Sequence, residues 1–153
     1  MIQREEYLQE LLAWKDEQVI KVITGVRRCG KSTLLKQYQS LLLNKGVSSE
    51  QIIYINFELL EYEDLVDYKK LYAHIKERLC EGKMTYIFLD EIQKVEGFEK
   101  VVDSIYARDN TDVYITGSNS YMLSSELATL LSGRYVEVSM LPLSFKEYKA
   151  LIE

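Results

Sequence analysis

Cysteine is scarce. The 153-residue chain has two, Cys29 and Cys80, too few for a disulfide framework and without metal-site spacing, which points to a reducing compartment. Proline occurs once and glycine seven times, so neither a collagen-like repeat nor a low-complexity linker is present. Long apolar runs are missing as well. A typical one, Tyr86 to Leu89, is far short of the ~20 residues a helix needs to cross a bilayer. The opening Met1-Ile2-Gln3-Arg4-Glu5-Glu6 lacks the apolar centre of a secretory leader, so the expected location is cytoplasmic, with no membrane partner. Positive charge is in the minority, 19 Lys and Arg against 24 Asp and Glu, for a net charge of −5. That argues against a surface that coats nucleic acid, although it permits a local basic patch. What is present is 47% hydrophobic content. A chain of this size folds as one domain and buries about 70% of its unfolded surface.

The pattern along the chain is alternation. Residues 4–14 carry a helical stripe of Tyr7, Leu8, Leu11 and Leu12, and Val19 to Thr24 follows as a β-branched strand. Residues 32–44 return to helical spacing and stop at Lys45-Gly46, a fitting C-terminal cap. Gln51 to Phe57 is a second strand, with contiguous Ile52, Ile53, Tyr54 and Ile55 as in a strand covered on both faces. The spacing of Leu65, Tyr68, Tyr72, Ile75 and Leu79 predicts one amphipathic helix over 64–81. Strands at 86–89, 113–116 and 135–138 alternate with helices at 98–108 and 120–131. Strands separated by helices imply a three-layer α/β fold, a parallel sheet with helices on both faces. Ser144-Phe145-Lys146-Glu147 is a capping box that opens a helix. So little chain follows it that a fragment of a longer protein is expected.

Gly25-Val26-Arg27-Arg28-Cys29-Gly30-Lys31-Ser32 fits G-x-x-x-x-G-K-[ST] without a mismatch, between a strand and a helix as the motif requires. Glycines let successive backbone N–H groups turn toward one anion, and the next helix adds the positive end of its dipole. Lys31 would reach the β- and γ-phosphates and Ser32 would offer its hydroxyl to Mg²⁺. Arg27 reads as a solvated loop cation, Arg28 equally as a phosphate contact, and Cys29 as a small filler.

Tyr86-Ile87-Phe88-Leu89-Asp90-Glu91 is an apolar strand ending in two acids. Ligands of open parallel sheets sit beyond the C-terminal ends of the strands, which sets Asp90 and Glu91 on the rim of the phosphate loop. Asp90 would hold Mg²⁺, through water, and Glu91 would orient or deprotonate the attacking water.

With GVRRCGKSTLL, YIFLDEIQ, ITGSNS, LLSGRY and LPLSFKEY, the chain resembles the AAA+ superfamily of P-loop ATPases. Within it, the chain resembles a prokaryotic group in which a GxRRxGKS loop and an LPLSFxE segment precede a separate C-terminal domain. The resemblance runs from about residue 19 to 149. It implies a five-stranded sheet in the order 5-1-4-3-2, Mg²⁺ and ATP as ligands, and nucleotide contacts from Gly25 through Thr33. It makes Ser32 and Asp90 the metal residues and Lys31 and Glu91 the catalytic ones. It also implies a polar sensor at Asn119, with Ser118 in reserve, although either could equally cap the next helix. Arg134 falls where such proteins carry an arginine finger for a neighbouring subunit, which would need a homo-oligomer; a cation compensating a helix dipole is the alternative. Asn56 would touch Glu91. The resemblance further implies a lid and a C-terminal domain, through which any protein or nucleic-acid partner would act. The leading expectation is a Mg²⁺-dependent ATPase core. A nucleotide-gated scaffold with little turnover and a P-loop kinase are the alternatives.

Overall fold

The computed structural model describes residues 5–25, 30–118, 131 and 134–140. Five helices and strands lead into the middle of the sequence: α1 (Glu5–Ala13), β1 (Ile20–Gly25), α2 (Lys31–Asn44), β2 (Ile52–Asn56) and α3 (Tyr68–Glu77). They are followed by β3 (Thr85–Asp90), α4 (Phe98–Tyr106), β4 (Thr111–Ser118) and β5 (Tyr135–Ser139). The strands form one five-stranded sheet in the order β2-β3-β4-β1-β5, and every pairing is parallel. This is the expected 5-1-4-3-2 order, read from the other edge.

Burial follows position in the sheet. β1 and β3 are buried at all six positions, as central strands covered by helices on both faces are. The edge strand β2 instead alternates between buried and half-buried positions. On one face Leu8 and Leu11 of α1 and Leu34, Leu35, Tyr38 and Leu42 of α2 pack on Ile23, Tyr86, Phe88, Tyr114 and Val138. On the other, Leu71 and Ile75 of α3 and Phe98, Val101, Val102 and Ile105 of α4 pack on Val22, Ile53, Ile55, Ile87, Leu89, Val113 and Ile115. Fully burying one such aliphatic or aromatic side chain is worth about 1.5–3 kcal/mol, so the two layers hold the sheet between them.

The single helix expected over 64–81 is two elements. A 3-10 turn covers Leu60–Val66, and α3 starts afresh after Asp67. The Asp67 carboxylate accepts the backbone N–H groups of Lys69 and Lys70, at 2.9 and 3.4 Å, and so caps the new helix. Leu65 and Tyr68 both pack against the same core, which explains why their spacing looked continuous.

One strand position departs from the apolar pattern. Lys21 is wholly buried in β1, where its ammonium pairs with the equally buried carboxylate of Asp112 on β4. Lys21 Nζ also donates to the Glu17 carbonyl at 2.6 Å. Asp112 Oδ2 accepts the Tyr114 hydroxyl at 2.8 Å and the Asp16 N–H at 3.0 Å. The Tyr114 and Tyr38 hydroxyls lie 2.7 Å apart. This network ties the α1–β1 turn and helix α2 to the end of the sheet where β1 begins.

Candidate functional site

At the opposite end of the sheet β1 runs out at Gly25 and α2 begins at Lys31. Gly30, the residue before α2, has φ +99°, a left-handed conformation that glycine takes without a Cβ penalty. Its carbonyl accepts the Leu34 N–H at 2.9 Å, so the helix opens directly off the loop. Val26, Arg27, Arg28 and Cys29 lie outside the described residues, as does Asn119. The flanks of the loop are described. Lys31 is almost completely buried, and its ammonium donates to the Gly25 carbonyl at 2.9 Å. It also lies 3.6 Å from Glu91 Oε1.

Asp90 closes β3 with its side chain on the α2 face of the sheet, fully buried. A buried carboxylate is tolerated only when its oxygens are well supplied with donors, and this one is. The Ser32 hydroxyl donates to Oδ2 at 2.6 Å and the Tyr54 hydroxyl to the same oxygen at 2.7 Å. The Thr116 hydroxyl donates to Oδ1 at 2.7 Å. Burial and the neighbouring Asp90 charge push the Tyr54 phenol well above its ordinary range, so Tyr54 remains a donor.

Glu91 follows with φ +61°, a left-handed conformation that costs a non-glycine residue about 1–2 kcal/mol. Two contacts hold it there. Its N–H donates to Thr116 Oγ1 at 2.9 Å, and its carbonyl accepts the Lys94 N–H at 3.2 Å. The chain reversal turns the Glu91 side chain away from that of Asp90 and toward Lys31, while Gln93 Nε2 donates to Glu91 Oε2. Adjacent acids are thereby given different environments: Asp90 faces the serine of the loop and Glu91 its lysine.

The structure thus brings Gly25, Gly30, Lys31, Ser32, Asp90 and Glu91 together, with Thr33 in the first turn of α2. It does not bring Arg134 to them. The Arg134 carbonyl accepts the Ile20 N–H at 3.0 Å, at the end where β1 begins, and five residues of strand at ~3.3 Å each separate that point from Gly25. Its guanidinium lies 3.5 Å from Asp103 and 4.8 Å from the Tyr106 ring centroid. Asn56 stands beside Asp90 in the β2–β3 register, and its side-chain oxygen accepts the Glu58 N–H at 3.0 Å.

Sequence reasoning missed Tyr54, Thr116 and Gln93. Tyr54 looked like strand filler because its place beside the Asp90 carboxylate depends on the β2–β3 register. Thr116 and Gln93 lie inside ITGSNS and YIFLDEIQ, but their partners Asp90 and Glu91 are set by the β3–β4 register and by the turn after β3, which spacing does not reveal.

Comparison with known structures gives the class. Over 96% of this chain and 59% of that one, the fold matches Saccharomyces cerevisiae RIF2 with a TM-score of 0.60 at 14% identity. It matches AMPPCP-bound DnaA from Aquifex aeolicus with a TM-score of 0.56 at 16% identity, over 96% of this chain and 48% of that one. It matches PCH-2 of C. elegans with a TM-score of 0.56 at 20% identity, over 91% and 42%. The fold, the loop motif and a family model that matches residues 17–149 together define a nucleotide-binding P-loop domain of the AAA type.

The chain belongs to the AAA domain family, whose model matches residues 17–149. An uncharacterized protein of Haemophilus influenzae is 52% identical to it over 149 residues, 97% of this chain and 37% of that protein. One from Methanocaldococcus jannaschii is 38% identical over 134 residues, 84% of this chain and 28% of that protein. The chain therefore spans about a third of the length of the curated relatives it matches.

Proposed function

We propose that this domain binds Mg²⁺-ATP and hydrolyses it. The observation that carries the reading is the 2.6 Å contact between the Ser32 hydroxyl and the Asp90 carboxylate, with Lys31 and Glu91 paired beside it. Hydroxyl and carboxylate oxygens are hard donors that suit Mg²⁺. Mg²⁺ is commonly held by one or two protein oxygens, with phosphate and water completing its shell. Ser32 and Asp90 would hold it, and the ion would neutralise charge building on the phosphates.

The protein's own groups do the rest. Lys31, the first residue of α2, holds its ammonium between the Gly25 carbonyl and Glu91, from where it binds phosphate oxygens. Glu91 accepts the proton of the attacking water, whose oxygen bonds to the γ-phosphorus as the bond to the β–γ bridging oxygen breaks. ADP and inorganic phosphate result. Adjacent acids, with the Glu91 side chain aimed at the lysine, favour water over a small-molecule acceptor.

Arg134 lies too far from the site of its own chain to serve it, and the family resemblance is what assigns it to the site of a neighbouring copy. The same resemblance is the ground for coupling nucleotide state to a further region, such as that by which the relatives exceed this chain.

The test is direct. Glu91→Gln should bind ATP as the parent does but release phosphate at least ~10²-fold more slowly, the low end of a general base's contribution. Lys31→Ala should lose binding too. Parental turnover in Glu91→Gln would remove Glu91 from the chemistry.

A further inference from the structure

Gln93 has one half of its amide accounted for and the other half not. It lies in the short 3-10 turn Ile92–Lys94 that starts directly after Glu91. Ile92 and Val95, on either side of Gln93, are sunk in the core, which fixes the turn and leaves Gln93 little freedom. Its Nε2 donates to Glu91 Oε2. Its Oε1 is buried and has no hydrogen-bond partner among the described residues. A buried acceptor left unpaired is destabilising, so an amide here is a poor choice for stability alone. Methionine would fill the same space without that penalty.

The two oxygens of Glu91 are correspondingly unlike. Oε2 is taken by the Gln93 amide, whereas Oε1 faces the Lys31 ammonium at 3.6 Å. An ammonium at that distance is within an ion pair but beyond hydrogen-bond contact, so Oε1 retains room for a further donor on the phosphate side.

We propose that Gln93 is a positioning residue for hydrolysis: its N–H holds Oε2 of Glu91 and so fixes the carboxylate with Oε1 turned toward Lys31, leaving Oε1 to take the proton of the attacking water. This rests on the hydrolytic reading above. It adds a residue to that site and gives the amide N–H a role that packing does not.

The experiment compares the protein with its Gln93→Met, Glu91→Gln and doubly substituted forms, measuring phosphate release, Mg²⁺-ATP affinity and thermal midpoint. Gln93→Met should lower kcat by about 10²-fold, leave the ATP dissociation constant within twofold, and leave the midpoint unchanged or higher. Added to Glu91→Gln it should cost no more than twofold further, because Gln93 acts through the Glu91 carboxylate. An unchanged kcat overturns the proposal. So does a kcat loss that multiplies with that of Glu91→Gln, or one accompanied by lost affinity or a lower midpoint. If Gln93→Met does not fold, Gln93→Ala is held to the same outcomes for kcat and affinity. Parental turnover by Glu91→Gln, or no phosphate release by the parent, refutes the hydrolytic reading itself and takes this inference with it. Loss in Glu91→Gln without loss in Gln93→Met refutes this inference alone.

Discussion

Removing the charge of Lys21 should be among the costliest single changes outside the nucleotide site. Lys21→Met keeps most of the side chain's length and its packing in β1, and deletes the ammonium. Asp112 would then be a carboxylate with no exposure to speak of, keeping the Tyr114 hydroxyl and the Asp16 N–H but losing its counter-charge. The Glu17 carbonyl would lose its 2.6 Å donor. Breaking a buried pair in this one-sided way costs about 3–5 kcal/mol, a large fraction of the ~5–15 kcal/mol that holds a domain together. At ~2–4 °C per kcal/mol for a domain of this size, the thermal midpoint should fall by about 6–20 °C. Urea unfolding followed by circular dichroism gives the free energy, and thermal melts the midpoint. The decisive comparison is Lys21→Met with Asp112→Asn in the same chain. That pair removes both charges and keeps an acceptor for Tyr114, so it should recover most of the loss. A single variant that loses less than ~1 kcal/mol, or a double variant no more stable than the single, would show that the pair is not buried as described.

Two further outcomes follow from the same geometry. Thr116→Val takes a donor from Asp90 and an acceptor from the strained Glu91 N–H, so it should destabilise by about 2–4 kcal/mol. Thr116→Ser keeps the hydroxyl and should lose about 1 kcal/mol; equal losses in urea unfolding would refute the role given to that hydroxyl. The second outcome concerns Asp16. Burial pushes its carboxyl upward, but the Lys15 ammonium and the Tyr86 hydroxyl outweigh this and hold it below the ordinary value. A group depressed in the folded state stabilises above its unfolded value, near pH 4, and loses that contribution as pH falls through its folded value. Asp16→Asn tolerates the φ of +65° at this position and removes the titration. The stability difference between parent and variant should therefore be flat above about pH 5 and shrink below about pH 4; a difference that widens in acid would contradict the sign.

Much of this was legible in the chain. A complete phosphate-loop motif between a β-branched run and a helical stripe locates Gly25, Lys31 and Ser32, and an apolar run ending in two acids locates Asp90 and Glu91. The order of the strands came from the resemblance and not from periodicity, which says nothing about neighbours. What stayed hidden depends on register or on polar residues inside strands. Val19 to Thr24 read as a β-branched run despite Lys21, because its partner Asp112 lies 91 positions away. The strand expected at 113–116 is in fact Thr111–Ser118, since Asp112 and Gly117 are buried in the ladder though neither is a strand former by type. The break before α3 was masked because Leu65 and Tyr68 serve the same core from either side of the Asp67 cap.

The sheet order also has a consequence for how the molecule is made. β4 is inserted between β1 and β3, so the two strands bearing the phosphate loop and the acid pair have no ladder in common until a strand synthesised after both is in place. Asp90 receives its donors from positions 58, 36 and 26 residues away, the last of them on β4 itself. Before β4 is available, a 14-residue α2 and a lone parallel β2–β3 pair are at best marginal in water. The serine and the carboxylate are brought into register only once residues 111–118 have filled the gap. Nucleotide affinity is therefore a late property of the nascent chain. A ribosome stalled before β4 emerges should carry no phosphate site.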